Sequence, residues 1–256
     1  MYKFKCPESW YKHPVRVLLI GCGGTGSEML DALHRIHICL KELGGYGLNV
    51  TVYDDDTVEP NNIGRQRFWK DDVGQNKAVV SVQRINYCSG LQWQAIPFRF
   101  KPEMLRQGDC DLIITAVDSG KLRYELGQEA SLVKSEAIWM DAGVGSKDGQ
   151  VICGHLGQPS QGQKIPNVYN LYGEQLLAKE KKQEQPAGCS SLAASLAAQG
   201  LFINKVASDI MGDMLFCLVR HGEVQYHGSF FSISPMVVRP LPVDPHQWLT
   251  FGYQAD

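Results

Sequence analysis

A glycine cluster, three consecutive aspartates and two isolated cations carry the chemistry open to this chain. Gly21-Cys22-Gly23-Gly24-Thr25-Gly26 follows the apolar run Val15–Ile20. A Gly-x-Gly-x-x-Gly pattern in that position lets a phosphate approach backbone N–H groups at a helix N-terminus. Gly21, Gly23, Gly24 and Gly26 are therefore candidate cofactor-binding residues. A second apolar run, Leu48–Tyr53, ends in Asp54-Asp55-Asp56. Asp54 stands at a strand end, where a carboxylate accepts hydrogen bonds from ribose hydroxyls, and Asp56 lies beside it. A solvated acidic turn is the plain alternative. Asn62, Arg65 and Lys77 come next. The helix N-terminus largely serves a dinucleotide's pyrophosphate, whereas a triphosphate bound for cleavage needs cations for the charge developing on its leaving group. Arg65 and Lys77 supply that charge, and Asn62 adds a neutral donor. Asp118, at the tip of the apolar stretch 111–117, offers oxygen ligands to Mg²⁺. Singly, these are surface cations, a turn asparagine and a helix-capping aspartate. Gathered on one sheet edge, they outline a triphosphate site with Arg65, Lys77 and Asp118 as catalytic candidates.

Such a site needs strands that deliver these residues to a common edge. Met29, Leu30, Leu33, Ile36, Leu40 and Leu43 recur at helical spacing and predict a helix over 27–43, stopped by Gly44-Gly45-Tyr46-Gly47. Helices over 77–87, 102–106 and 122–133 alternate with strands over 92–98, 111–117 and 137–140. Strand and helix thus alternate about five times, which predicts an α/β fold: a doubly wound, mainly parallel sheet of Rossmann-like type. The C-terminal part is irregular. Asp148-Gly149-Gln150 reads as a turn into a strand over 151–153. Residues 157–187, rich in Gln, Lys, Glu, Gly and Pro, read as an exposed, partly mobile crossover covering a site. A small-residue helix over 189–214 bends near Gly200, and 222–240 alternates like β-hairpins. The expected organisation is one domain, 1–256, with a nucleotide-binding core over 15–155 and a helix and β extension over 188–256.

Composition narrows the function classes. A formal charge of −2 gives no reason to expect nucleic acid or an anionic membrane as partner. No run of about 18 apolar residues exists, and the N-terminus lacks a signal-peptide core, so a cytoplasmic protein is expected. The eight cysteines include no Cys-x-x-Cys pair, so no structural zinc is expected. Cys189 differs from the others: it follows Pro186-Ala187-Gly188 and opens a helix, a setting that favours thiolate. An inert buried thiol is the ordinary alternative.

The ordered set Gly21–Gly26, Asp54-Asp55-Asp56-Thr57-Val58, Asn62, Arg65-Gln66 and Val73-Gly74-Gln75-Asn76-Lys77 resembles the ThiF/MoeB/HesA family, adenylating enzymes related to ubiquitin activators. Ala116-Val117-Asp118-Ser119 and Asp141-Ala142-Gly143 extend the resemblance over about residues 15–155, and 189–214 is similar to the ThiF-type protein of the PRTRC cassette of bacterial mobile elements. The resemblance implies ATP and Mg²⁺ at the carboxyl edge and a small ubiquitin-like (β-grasp) protein whose C-terminal carboxylate attacks the α-phosphorus. It implies Asp54 on ribose, Asn62, Arg65 and Lys77 on phosphates, Asp118 on magnesium, and a homodimer. Two departures stand out: the family's zinc-binding cysteine pairs are missing, and the arginine-bearing N-terminal helix has no clear counterpart in residues 1–14. An adaptor that holds nucleotide without chemistry is the second reading. A nicotinamide dehydrogenase is the third, and it leaves Arg65 and Lys77 without a role.

A cysteine near position 189 can take over the acyl group in such systems, which makes Cys189 the fourth catalytic candidate. Alkylation below pH 7 is then expected to label Cys189 ahead of Cys22 and Cys153, and Cys189→Ala is expected to abolish any thiol-sensitive adduct while sparing adenylation. Labelling of Cys189 only on unfolding would refute the thiol role.

Overall fold

The computed structural model describes residues 2–106, 109–132, 135–160, 162–180 and 199–255, the side chains of 179 and 180 excepted. Cys189 and the rest of 189–198, the first part of the small-residue stretch read from the sequence, lie outside the described residues. In chain order the strands are β1 (Phe4–Lys5), β2 (Val15–Ile20), β3 (Leu48–Tyr53), β4 (Gln94–Ile96) and β5 (Leu112–Thr115), then β6 (Ile138–Val144), β7 (Asp148–His155), β8 (Glu223–Val224), β9 (Tyr226–Ile233) and β10 (Met236–Pro242). The helices are α1 (Gly24–Glu42), α2 (Lys77–Ser89), α3 (Gly120–Ser131), α4 (Val168–Tyr172), α5 (Gln175–Glu180), α6 (Ile203–His221) and α7 (Pro245–Trp248).

Eight strands form one sheet in the order β10-β9-β7-β6-β5-β2-β3-β4. β4, β3, β2, β5 and β6 run parallel, and β7, β9 and β10 continue the sheet antiparallel. The central strands β2 and β5 are covered on both faces, which is why they read as nearly unbroken apolar runs, whereas β3 alternates towards the sheet's edge. Chain order reverses between β2 and β5. In a doubly wound sheet that reversal opens a crevice at the strands' carboxyl ends.

Local chemistry starts and stops the helices where the site needs them. Asn76 caps α2 by accepting from Val79 N at 3.0 Å, and left-handed Gly90 ends it. Ser119 caps α3 through Leu122 N at 3.1 Å. Helix α1 buries Met29, Leu30, Leu33, Ile36 and Leu40 of the face read from the sequence, but Leu43 is exposed past its end and it begins at Gly24, three residues earlier than expected. α6 packs along α1, with Gly212 standing against Ala32. The N-terminal lead docks on its own chain: Phe4 and Trp10 are buried, and Tyr11 donates to the Val219 carbonyl at 3.0 Å.

Two expectations are corrected. Asp148-Gly149-Gln150 is not a turn but the start of β7; the reversal lies at Gly145–Lys147, closed by Gly145 N donating to the Asp148 carbonyl at 2.8 Å. Nor is the crossover exposed throughout. Ile165, Val168, Leu171 and Leu176 are buried, and α4 and α5 pack on α3. Four apolar anchors at uneven spacing hold this segment down, and its polar composition conceals them.

The antiparallel end of the sheet is pinned by a buried histidine. His227 donates from Nδ1 to the Cys153 carbonyl at 2.9 Å and accepts from Trp248 Nε1 at 2.8 Å, so the neutral tautomer is fixed by its partners. His155 likewise accepts from Ile165 N at Nδ1, 2.9 Å away. Burial pulls the pKa of each down to about 4. With folded values below the unfolded 6.5, the unfolded chain takes up protons first as pH falls. Stability is therefore full above about pH 6.5 and declines towards pH 4, by up to roughly 3 kcal/mol for each ring. Urea denaturation at pH 7 and 4.5, paired with ring-nitrogen NMR, is expected to show falling stability with both rings still neutral at pH 5.5. A ring that titrates near 6.5 in the folded protein would contradict this.

Candidate functional site

A cleft of about 870 Å³ opens at the carboxyl ends of the parallel strands, on the crevice that the reversal between β2 and β5 creates. Its size suits a nucleotide-sized ligand. Gly21, Gly23 and Gly24 line it, together with Asp54, Asp55, Asp56, Arg65, Gln66, Lys77 and Asp118.

The four glycines divide the labour. Gly21 has φ +91°, and a Cβ there would lie 2.6 Å from the Ala116 carbonyl oxygen, so only glycine fits. Gly26 does not line the cleft: a Cβ on it would run into the Gly21 carbonyl, and its absence lets the first turn of α1 close on the turn after β2. Gly24 makes room for Asn204, whose Nδ2 would stand 2.6 Å from an added Cβ. Gly23 alone meets little, with Gln66 Oε1 3.9 Å away, and keeps its backbone open to the cleft.

Asp54 is buried, and its carboxylate accepts from Cys22 N at 2.5 Å and from Asp56 N at 2.8 Å. Burial raises its pKa, partly offset by those two backbone donors and by the Lys77 charge. Each oxygen keeps a second lone pair for a ligand. Lys77 opens α2 and is 7% exposed, with Nζ 2.8 Å from Asp56 Oδ2. A buried ammonium at a helix N-terminus is disfavoured by desolvation and by the helix dipole, so it demands anionic company. Asp56 is 65% exposed and shares its charge with the cleft. Arg65 donates from Nη1 to Gln199 Oε1 at 3.0 Å, while its Nε and Gln66 Oε1 are buried without a hydrogen-bond partner. Unsatisfied buried polar atoms lining a cleft call for a ligand or water to complete them. Asp118 is exposed just past the end of β5.

The structure does not bring Asn62 to the cleft. Its Oδ1 accepts from Glu59 N at 2.9 Å, its Nδ2 donates to Asn61 Oδ1 at 3.1 Å, and its carbonyl accepts from Arg65 N and Gln66 N. It shapes the loop that presents Arg65 instead of offering its own amide. Cys22 and Cys153 are buried, and desolvation pushes both thiols up, Cys22 to about 12.

Several residues near the cleft escaped sequence reasoning. Arg123 donates from Nε to Asp141 Oδ1 at 2.6 Å and from Nη2 to the Val117 and Ala142 carbonyls at 2.7 Å each. Asp141 Oδ1 also accepts from Thr115 Oγ1, and Trp139 Nε1 donates to Thr115 at 2.9 Å. This buried knot ties together the ends of β5 and β6 beside the cleft floor. A buried strand aspartate is a signal that some arginine must follow, but its partner is a matter of tertiary placement. Gln199 and Asn204, from the C-terminal part, close the cleft's other wall.

The chain's relatives agree with this architecture. The ThiF family profile matches residues 12–245. The chain is 29% identical over 124 residues to the adenylyltransferase and sulfurtransferase UBA4 of Yarrowia lipolytica, 46% of this chain and 28% of that protein. To the ATP-dependent ubiquitin transferase-like protein Cap2 of Pseudomonas aeruginosa it is 27% identical over 127 residues, 49% of this chain and 22% of that one. The NEDD8-activating enzyme E1 catalytic subunit of Arabidopsis thaliana is 39% identical over 72 residues, 28% of this chain and 14% of that one. The chain thus spans under a third of each of these three proteins. Among solved structures, E. coli MccB superposes with a TM-score of 0.63 at 14% identity, covering 90% of this chain and 63% of that one. PaaA gives 0.60 at 16%, covering 90% and 64%. These likenesses show a shared fold. No helix among the described residues is long and apolar enough to cross a membrane. The chain belongs to the ThiF family.

Proposed function

We propose that this chain adenylates the C-terminal carboxylate of a small ubiquitin-like protein, using ATP. The observation that carries the reading is the gathering of cations and backbone N–H donors in one cleft: buried Lys77, the incompletely satisfied Arg65 and the glycine turn at the N-terminus of α1 all line it. Names among the relatives point the same way, since MccB has been solved with ATP and with AMPCPP and MccA, and others are described as ubiquitin- or NEDD8-activating.

In this reading Asp54 accepts from the ribose hydroxyls with its remaining lone pairs, and Gly23 lets the phosphates approach the helix N-terminus. The partner's carboxylate oxygen bonds to the α-phosphorus as the bond to the β-phosphate oxygen breaks, giving an acyl adenylate and pyrophosphate. Arg65 and Lys77 stabilise the charge that gathers on that leaving group. Mg²⁺ suits the donor set: Asp118 is an exposed carboxylate on the cleft wall, and magnesium takes one or two carboxylates plus phosphate oxygens. Bound there, it would offset phosphate charge. Asp54, Asp55 and Asp56 also cluster within 4.8 Å, but they already serve backbone donors, Arg99 and Lys77. A nucleotide-holding adaptor is the second reading. It is favoured by the N-terminal lead, which docks on its own chain and, among the described residues, contributes none to the cleft lining.

ATP with Mg²⁺ is expected to raise the melting temperature more than NAD does, with about 2.7 kcal/mol of stabilisation at roughly 100-fold saturation. Stabilisation by NAD alone would overturn the assignment. Lys77→Ala is expected to slow adenylate formation by roughly 10²–10³-fold while weakening ATP binding far less. Equal losses in both would make Lys77 a uniform binding residue.

A further inference from the structure

Arg65 is held differently from the other well-anchored arginines. Arg16, Arg35, Arg67, Arg84, Arg106 and Arg123 each reach a carboxylate oxygen within 3.0 Å, which neutralises them inside the protein. Arg65 is instead oriented by a neutral carboxamide, through Nη1 donating to Gln199 Oε1 at 3.0 Å. A carbonyl dipole fixes a guanidinium without cancelling its charge, so that charge stays available to an anionic ligand.

Gln199 is itself locked. Its Oε1 also accepts from Asn204 Nδ2 at 3.4 Å, and its Nε2 donates to the Gly145 carbonyl at 3.2 Å. Turning the amide over would set its NH₂ against two donors, so the network determines its orientation. Asn204 is 5% exposed and accepts from Thr25 Oγ1 at 3.0 Å, in the first turn of α1. Gly200 N donates to the Ser146 carbonyl at 2.8 Å, anchoring the backbone beside it. One carboxamide therefore couples the Arg65 loop, the β6–β7 reversal and the start of α6.

We propose that Gln199 is a positioning residue for phosphate binding: it aims Arg65 into the cleft while leaving the arginine's charge uncompensated. The inference rests on the reading of Arg65 as a phosphate ligand and adds the group that makes it one. The C-terminal part of the chain thus completes the phosphate end of a cleft otherwise lined by residues up to Ser146.

Calorimetric titration with Mg²⁺-ATP and with adenosine tests this, because adenosine has no phosphate for Arg65 to meet and reports on the integrity of the cleft. Wild type is expected to bind ATP more tightly than adenosine. Gln199→Ala is expected to lose about tenfold of that preference with adenosine binding unchanged. In an Arg65→Ala background the same change is expected to add nothing, since Gln199 acts through Arg65. Gln199→Glu keeps the side-chain volume but neutralises the arginine, and is expected to weaken ATP and not adenosine. The role is overturned if Gln199→Ala or Gln199→Glu keeps the wild-type preference, if ATP and adenosine weaken together, or if the loss persists without Arg65. A wild type that does not prefer ATP to adenosine defeats the Arg65 reading itself, and the positioning role falls with it.

Discussion

The carboxylate of Asp54 is the constraint on which the site depends. By accepting from Cys22 N and Asp56 N it ties the turn after β2 to the turn after β3, the two loops that carry the chemistry. That tie adjoins Gly21, whose φ is positive, and Asp56, which Lys77 reaches. It is a buried acid sustained by fixed N–H donors, so its position is determined more by the fold than by any ligand. The close contact of Gly26 with the Gly21 carbonyl then brings the N-terminus of α1 to the same point.

Charge is distributed around this core according to use. Arg123 and Asp141 are both nearly fully buried and paired, and the arginine's Nη2 donates to the Val117 and Ala142 carbonyls. Removing one partner of such a pair typically costs about 3–5 kcal/mol, because a lone buried charge remains. That arginine belongs to the scaffold. Lys77 shares a half-solvated aspartate, and Arg65 leans on a neutral amide, so both present charge to the cleft. The contrast separates cations that hold strands together from cations that can meet phosphate.

Much of this was legible in the sequence, for a physical reason. β2 and β5 are nearly continuous apolar runs and β3 alternates apolar with polar residues, and the glycine turn must follow β2, so these strands and the ends bearing Asp54 and Asp118 could be placed from residue pattern alone. Local signals misled where backbone geometry depends on distant partners. Asp148-Gly149-Gln150 carries turn residues, yet Gly149 is a strand residue that leaves room for the Phe231 ring. Asn62 is a donor by type, yet its neighbours Glu59 and Asn61 take up its amide. Gln199 and Asn204 have no local signature at all. Their role arises only when α6 is laid against α1, a contact between segments about 180 residues apart in the chain.

Acyl-adenylate chemistry, as proposed for the cleft, goes beyond holding a nucleotide. Incorporation of labelled pyrophosphate into ATP measures that directly, because exchange requires the α–β phosphate bond to break and re-form on the protein. Small β-grasp proteins ending in glycine are the carboxylates to supply. Exchange is expected to depend on the partner's free C-terminal carboxylate and to stop when that terminus is amidated. ATP binding with no label entering ATP, for every such partner offered, would contradict it and leave a nucleotide-bound adaptor.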